Sequence, residues 1–314
     1  MHRSEWQGQG SAHGKVILLG EHAVVYGHPA IALPFSSVAV DVQVIPVTGL
    51  DALDCAYYRG PLAAAPKTLL GLRVMIPAIR DRLGASDDPV RIVITSTIPA
   101  GFGLGSSAAV AVGTIRALYD RYRVPLSREE LWDLAHLAET VVHGTPSGID
   151  VRAASTDSPL WFTRGEGLTT LLLPRRLFLV VATSNSPGHT GIMVRRVQAS
   201  RPRTNGPIER LGALTHTARD CLASGDYKLL GTLLTEGHQE LRALNVTTPD
   251  VDRLVEAALL GQALGAKLTG SGGGGTIIAL APDATGQRNL ARTLQRAGAK
   301  NVWALTTLER DVTP

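Results

Sequence analysis

One glycine-rich segment constrains the fold of this chain more than any other feature. Residues 98–109 read IPAGFGLGSSAA, and they lie between a strand-like stretch at 90–96 and a strongly apolar helix predicted over 106–122. A glycine turn between a strand and a helix directs free backbone N–H groups and the positive end of the helix dipole toward one point. Because glycine has no Cβ, an anion can approach the backbone closely there. The segment therefore predicts a phosphate-binding loop at a helix start.

Two common nucleotide-binding motifs do not account for this segment. The Walker loop requires a lysine before its final Ser or Thr, and residues 98–109 contain none. The dinucleotide motif Gly-x-Gly-x-x-Gly fails because Gly105 comes one residue early, and because Asp120 lies inside the predicted helix rather than at the end of a second strand. Taken alone, the segment is also compatible with a glycine-rich turn that ends in a serine cap.

Two further segments place chemical groups beside short strands. Residues 14–27 read GKVILLGEHAVVYG and put Lys15, Glu21 and His22 around one strand and its loop. Residues 267–275 read KLTGSGGGG between two strand-like pieces, a pattern that a flexible hairpin turn would also give.

A fourth segment follows a helix with a clear start and stop. The helix is predicted over 127–143, where Ser127 and Glu130 have the spacing of a capping box. Residues 143–150 then read HGTPSGID, so glycine and proline end the helix and Asp150 begins the next element.

The composition excludes several classes of protein. The chain of 314 residues is 44% hydrophobic and 18% charged, which excludes a disordered chain. A net charge of +4 and an aromatic content of 4%, without interleaved basic and aromatic residues, argue against nucleic-acid binding. Two distant cysteines, Cys55 and Cys221, exclude a disulfide scaffold and a Cys-rich metal site. No membrane span or signal peptide is predicted, so a cytoplasmic protein is expected.

The pattern of apolar residues predicts alternating strands and helices. Strands are predicted over 15–19, 30–33, 38–47, 90–96, 177–183, 267–269, 276–281 and 302–307, with a hairpin over 160–172. Helices are predicted over 68–83 with a kink at Pro77, 106–122, 127–143, 151–155, 191–244 with breaks near 202–207 and at Gly225, 251–264 and 289–297, and 49–66 is predicted to be irregular. From residue 177 onward the order is that of a split βαβ, or ferredoxin-like, domain. A domain boundary is therefore expected near residue 175.

In this order, the four segments resemble the motifs of the GHMP kinases, a family named for its kinases of galactose, homoserine, mevalonate and phosphomevalonate. The matches extend from residue 11 to residue 280, which is nearly the whole chain. The resemblance implies an α+β, two-domain GHMP-kinase fold. A mixed α/β domain with the phosphate loop is expected over 1–175, and a ferredoxin-like α/β domain over 176–314.

The resemblance also implies transfer of the γ-phosphoryl group of ATP to a substrate hydroxyl, with Mg²⁺ as the metal. Residues 14–25 are most similar to those of the members that phosphorylate mevalonate at its 5-hydroxyl, so mevalonate is the expected small-molecule partner. Phosphomevalonate, the 3-hydroxyl of mevalonate, homoserine or a sugar remain alternative acceptors. A sugar is disfavoured because Val24 stands where the sugar-specific members carry an aspartate.

Site residues are carried over from the matched motifs as expectations. Asp150 is the expected base for the hydroxyl proton, and Lys15 is expected beside the transferred phosphoryl group, where it can pair with Asp150. Ser107 and Glu139 are the expected magnesium ligands. The expected ATP contacts are Pro99, Gly101, Gly103, Leu104, Gly105, Ser106, Ser107, Ala108, Gly272 and Gly273. The expected acceptor contacts are Glu21, His22, Gly148, Asp150, Thr190 and Ser271, with His22 or a nearby cation holding the substrate carboxylate.

These assignments have purely structural alternatives. Asp150 and Thr190 can cap helices, Lys15 can lie at a strand edge, and Glu139 can pair with a histidine one helical turn away. The chain also departs from the family pattern at a few positions. His13 replaces a proline, Ser271 an alanine and Thr276 a cysteine, and a lysine common after residue 185 is absent. None of these departures removes an assigned catalytic group.

A non-catalytic ligand sensor on the same fold is the competing functional class. Such a protein is expected to have lost the base, the lysine or the metal carboxylate, and this chain retains Asp150, Lys15 and Glu139. A dinucleotide-binding oxidoreductase fails on the loop spacing. The oligomeric state is left open by the sequence, with a homodimer among the alternatives.

Overall fold

The computed structural model describes residues 6–143, 148–165, 167–188, 190–200 and 204–307. The strands there are β1 (Gly8–Leu19), β2 (Ala30–Pro46), β3 (Ala52–Cys55), β4 (Tyr58–Pro61), β5 (Val90–Ser96), β6 (Leu160–Thr163), β7 (Gly167–Thr170), β8 (Phe178–Thr183), β9 (Gly265–Thr269), β10 (Thr276–Ala281) and β11 (Asn301–Thr306). The helices are α1 (Leu70–Arg82), α2 (Ser106–Tyr122), α3 (Arg128–His143), α4 (Ile149–Ala154), α5 (Thr190–Ala199), α6 (Asn205–Ser224), α7 (Tyr227–Ala243), α8 (Pro249–Leu260) and α9 (Ala284–Arg296). Within these ranges, no helix is both long and apolar enough to cross a bilayer. The predicted turn at 144–147 lies outside the described residues.

The chain forms two compact units that each combine separate stretches of sequence. The first unit contains residues 1–14, 38–99 and 105–156, and the second contains residues 15–37, 100–104 and 157–314. β1 and β2 therefore contribute residues to both units. The domain boundary expected near residue 175 stays a prediction.

In the first unit, the later part of β2 pairs antiparallel with β5, and β3 lies parallel to β5 and antiparallel to β4. Along β2 the valines at 38, 40, 42 and 44 are buried while Asp41 and Gln43 are exposed, which confirms the predicted alternation. α1 packs against α3, and α2 packs against both. Pro77 lies inside α1 as the sequence predicts.

The second unit contains a four-stranded antiparallel sheet in the order β11-β8-β10-β9. All six residues of β10 and all five of β9 are buried, because α7, α8 and α9 pack against this sheet. The chain order of strand, helices, two strands, helix and strand confirms the predicted ferredoxin-like arrangement. The third glycine segment forms the turn between β9 and β10 of this sheet.

Three strand regions were predicted with the wrong extent, and helix α9 begins at Ala284 rather than at residue 289. β1 begins at Gly8 rather than residue 15, because Gly8 and Gly10 let the strand approach α2 so closely that a Cβ would lie 2.1 and 2.3 Å from helix carbonyl oxygens. β2 is one strand where two were predicted, and the region predicted to be irregular contains the short β3–β4 hairpin. Polar or small residues concealed these strands from a reading based on apolar periodicity.

Helix α7 and the residues that lead into β9 are in backbone contact at Gly231. A Cβ there would lie 2.3 Å from the Leu264 carbonyl oxygen, so Gly231→Ala forces the helix away from the strand. Such overpacking is expected to lower the free energy of unfolding by about 1–3 kcal/mol. Gly206→Ala, at an exposed position of α6, should instead be neutral or add up to about 1 kcal/mol. Thermal and denaturant unfolding of both variants measures this, and equal effects would contradict the packing argument.

Candidate active site

The glycine loop leaves the first turn of α2 without a side-chain cap. Gly101, Gly103 and Gly105 all have left-handed φ angles, of +81°, +77° and +78°. Gly105 is the N-cap of α2, and no side chain caps the helix within the described residues. The alternative of a serine-capped turn is therefore wrong. The amides of the first turn, at Ser106, Ser107 and the residues after them, retain the geometry of a phosphate site.

Within the second unit, three hydrogen bonds hold the carbonyl groups of this loop. The Gly188 amide donates to the Gly101 oxygen over 2.7 Å, and Thr276 Oγ1 donates to the Phe102 oxygen over 2.7 Å. The Lys15 amide donates to the Leu104 oxygen over 3.0 Å. Lys15 is thereby adjacent to the loop through its backbone, and its residue is only 4% exposed. A strand-edge surface lysine, the structural alternative for Lys15, is wrong.

The third glycine segment also contacts the loop. A Cβ on Gly103 would lie 3.5 Å from the Gly270 Cα, so the two backbones are close together. Gly272 cannot bear a side chain, because a Cβ would lie 2.1 Å from the Val246 oxygen. The Gly273 amide donates to the same oxygen over 2.7 Å. That amide already has an internal partner, so any contact of Gly273 with ATP would have to use another group.

Glu21 of the first motif is bound to a lysine that the sequence analysis did not single out. Lys267 Nζ donates to Glu21 Oε1, and both side chains are almost completely buried. Burial raises the pKa of the Glu21 carboxyl and lowers the pKa of the Lys267 ammonium, while each partner opposes the shift of the other.

His22 is linked to two other predicted acceptor residues. His22 Nε2 lies 3.0 Å from the Ser271 carbonyl oxygen, and Ser271 Oγ donates to Thr190 Oγ1 over 2.8 Å. The structure therefore brings His22, Ser271 and Thr190 together. Burial lowers the pKa of His22 to about 4, so the ring is neutral near pH 7 and its Nε2–H is the donor to Ser271. A cation that holds the substrate carboxylate must then come from another residue.

In the first unit, Ser107 and Glu139 lie together as predicted. Ser107 Oγ donates to Glu139 Oε1 over 2.5 Å, and Glu139 is buried on α3. Because Glu139 is buried, the alternative of a surface glutamate is wrong. A hydroxyl and a carboxylate are hard oxygen donors, and Mg²⁺ commonly takes one or two protein ligands beside phosphate and water. The donor pair thus fits Mg²⁺. No cluster of three or more His, Cys, Asp or Glu suited to a metal occurs among the described residues.

Asp150 lies in the first turn of α4, which begins two residues earlier than predicted. Gly148 is the N-cap of this helix with φ of +83°, and Arg152 Nη1 donates to the Gly148 oxygen over 3.1 Å. The Asp150 side chain is half-buried, and its carboxylate is not the helix cap. Arg152 also lies over the ring of Trp132, 4.9 Å from its centroid, so α3 supports the helix that carries Asp150.

Sequence reasoning missed two polar residues of the site. The motifs give Lys267 no role, although a lysine among the apolar residues of a strand is a signal in itself. The family pattern marks Thr276 only as a departure, yet its hydroxyl donates to the Phe102 oxygen of the glycine loop. The capping box was half right, since Ser127 Oγ accepts from the Glu130 amide but the Glu130 carboxylate accepts from Arg82 instead.

In the first unit, the uncapped start of α2 is suited to a phosphate, and the Ser107–Glu139 pair is suited to Mg²⁺. The chain belongs to the GHMP kinase family. The family model for the N-terminal domain of GHMP kinases matches residues 71–157, and the model for the C-terminal domain matches residues 218–300.

Within this family, the chain is similar to individual mevalonate kinases. The chain is 38% identical to the mevalonate kinase of Pyrococcus horikoshii and 36% identical to that of Thermococcus onnurineus, with 92% of each chain covered in both comparisons. Among solved structures it is similar to L. major mevalonate kinase in complex with R-mevalonate, with a TM-score of 0.82 and 28% identity over 98% of this chain and 97% of the other.

The neutral state of His22 predicts a pH dependence of stability. Its folded-state pKa of about 4 lies below the ordinary value of 6.5, so protonation favours the unfolded chain. The stabilisation is complete above about pH 6.5 and is lost as the pH falls toward 4, by ~3 kcal/mol at most. His22→Gln, which keeps an amide donor for Ser271, should show a shallower loss of unfolding free energy across this range. Identical pH profiles for the variant and the wild type would contradict the assignment.

Proposed function

We propose that this protein is an ATP-dependent kinase that phosphorylates the 5-hydroxyl of mevalonate, giving 5-phosphomevalonate and ADP. The observation that carries the proposal is the link of Glu21 and His22 to the third glycine segment, beside the phosphate loop. The similarity to proteins named mevalonate kinase, one of them solved with R-mevalonate, supports the same acceptor. The reaction belongs to the route from mevalonate to isoprenoids.

Asp150 acts as the base in this proposal. Its carboxylate accepts the proton of the 5-hydroxyl while the new O–P bond forms and the bond between the γ-phosphorus and its bridging oxygen breaks, leaving ADP. The N-terminal turn of a helix favours the ionised carboxylate that such a base requires. General base catalysis typically contributes about 10²–10⁴ in rate.

The phosphate loop and Lys15 stabilise charge on the transferred group. The open amides at the start of α2 donate to the phosphate oxygens of ATP, and the Lys15 ammonium offsets negative charge that moves to the bridging oxygen. Most of the catalytic effect in phosphoryl transfer comes from such positioning and electrostatics. The ATP contacts predicted from residues 99–108 remain part of the proposal.

Ser107 and Glu139 are the proposed magnesium ligands. When bound, Mg²⁺ neutralises part of the phosphate charge and orients the β- and γ-phosphates. The 2.5 Å hydrogen bond between the two side chains supports this role, because it holds both oxygens at one point. Burial of Glu139 limits competition by water for its carboxylate.

The acceptor is held by Glu21, His22, Thr190 and Ser271 in this proposal, with Gly148 near the base. Neutral His22 and the two hydroxyls offer hydrogen bonds to the polar groups of a small hydroxy acid. Val24 is 7% exposed and apolar, which suits the methyl group of mevalonate better than a sugar hydroxyl. A homodimer and a cytoplasmic location stay predictions.

A coupled ADP-release assay tests the proposal directly. Wild-type protein should turn over mevalonate with the highest kcat/KM among mevalonate, phosphomevalonate, homoserine and galactose, and turnover should stop when divalent metal is chelated. The position of the new phosphate, identified by ³¹P NMR, should be the 5-oxygen. Turnover of another acceptor but not of mevalonate would overturn the substrate assignment.

Asp150→Asn should lower kcat by about 10²–10⁴ because the amide cannot accept the hydroxyl proton. ATP binding, measured by calorimetry, should stay within a few-fold of wild type. Asp157→Asn, at an exposed aspartate seven residues later, serves as the matched control and should leave kcat unchanged. An Asp150→Asn protein that works within a few-fold of wild type would remove Asp150 from the role of base.

A further inference from the structure

A buried ion pair joins the loop at residues 20–22 to strand β9, and the catalytic steps above do not use this pair. Lys267 lies in the middle of β9, and its side chain is 0% exposed. The side chain of its partner, Glu21, is 2% exposed. Besides Glu21 Oε1, Lys267 Nζ contacts the Leu268 carbonyl oxygen at 2.6 Å. Both groups of the pair are therefore held by specific hydrogen bonds.

Stability alone does not account for this pair. Removing two charges from water is costly, and replacing a buried ion pair by apolar residues is often neutral or stabilising. Burial accordingly lowers the pKa of Lys267 and raises that of Glu21. A buried ion pair is thus weak evidence of stabilisation, and the polar links beside this pair point to a role in positioning the loop after β1.

Three polar links run along β9 and its loop at alternate residues. Lys267 bonds to Glu21, Thr269 Oγ1 donates to the Ile17 oxygen at 2.9 Å and accepts from the Ile17 amide at 2.8 Å, and Ser271 accepts from His22. Lys267 and Thr269 are alternate residues of β9 and share one face, and Ser271 follows in the turn, where its backbone carbonyl accepts from His22. The end of β1 and the loop after it are thus hydrogen-bonded to the third motif at Ile17, Glu21 and His22.

Lys267 is the donor that fixes the Glu21 carboxylate. The second oxygen, Oε2, is buried and accepts no hydrogen bond from the described residues. Lys15 acts on the same carboxylate, since its charge also lowers the pKa of Glu21. Helix α7 also packs against Lys267, since a Cβ on Gly237 would lie 3.7 Å from the Lys267 Cε. The next residue of α7, His238, is neutral near pH 7, because burial lowers its pKa to about 4.

We propose that Lys267 is a positioning residue for the acceptor substrate. By holding Glu21 it fixes the loop at residues 20–22 against the third motif, and so keeps the acceptor contacts of Glu21 and His22 in register with Ser271 and Thr190. The proposal rests on the proposed function in one respect, namely that this loop binds the acceptor. It predicts that Lys267 affects binding of the acceptor far more than binding of ATP.

Steady-state kinetics of Lys267→Met test this prediction. The KM for mevalonate should rise at least ten-fold while the KM for ATP stays within two-fold of wild type. Lys267→Gln, which retains an amide donor for Glu21 Oε1, should give a smaller rise and serves as the decisive variant if Lys267→Met does not fold. Lys228→Met, at an exposed lysine of α7, is the matched control and should change neither constant.

A double-mutant cycle with Glu21→Gln shows whether Lys267 acts through Glu21. In the Glu21→Gln background, Lys267→Met should raise the acceptor KM by no more than about two-fold, because the group it positions is already altered. Proportional rises of the mevalonate and ATP constants, or an acceptor KM within two-fold of wild type in the folded lysine variant, would overturn the proposal. If wild-type protein prefers another acceptor, the cycle is measured with that acceptor, so failure of the substrate assignment is distinguished from failure of this proposal.

Discussion

The site depends on keeping the backbone amides at the start of α2 free of side-chain partners. A conventional cap at this position would stabilise the helix by about 0.5–2 kcal/mol, and the chain has a left-handed glycine there instead. The loop carbonyls are held by the Gly188 amide, the Thr276 hydroxyl and the Lys15 amide. These bonds use the carbonyl oxygens of the loop and none of its amides. The uncapped helix start thus has amides that can donate to an anion.

The residues proposed to bind the acceptor are held by hydrogen bonds, and Glu21 and His22 among them are buried. Glu21 with Lys267, His22 with Ser271, and Ser271 with Thr190 form links that join segments about 80 to 250 residues apart in the sequence. Burial strengthens the pairing of Glu21 with Lys267, and it also keeps His22 neutral near pH 7. Rigid placement of these groups is what an acceptor hydroxyl requires for attack on a bound phosphoryl group.

Much of the fold and part of the site could be predicted from sequence. The strands and helices with regular apolar periods, such as β5, β10 and α2, agree with prediction at both ends, and the pairing of Ser107 with Glu139 followed from the motifs. The start of β1 could not be found, because glycines that contact α2 leave no apolar period. The partner of Glu21 was also beyond prediction, since a buried ion pair between residues 246 positions apart has no local signature.

The central claim is that the terminal phosphates of ATP bind the open amides of the loop and of the first turn of α2. Hydrogen–deuterium exchange with a non-hydrolysable ATP analogue and Mg²⁺ measures those amides directly. The account predicts that saturating analogue slows exchange most strongly in peptides covering residues 101–109, with smaller effects elsewhere in the chain. Saturable binding of the analogue with unchanged exchange at residues 101–109 would contradict it.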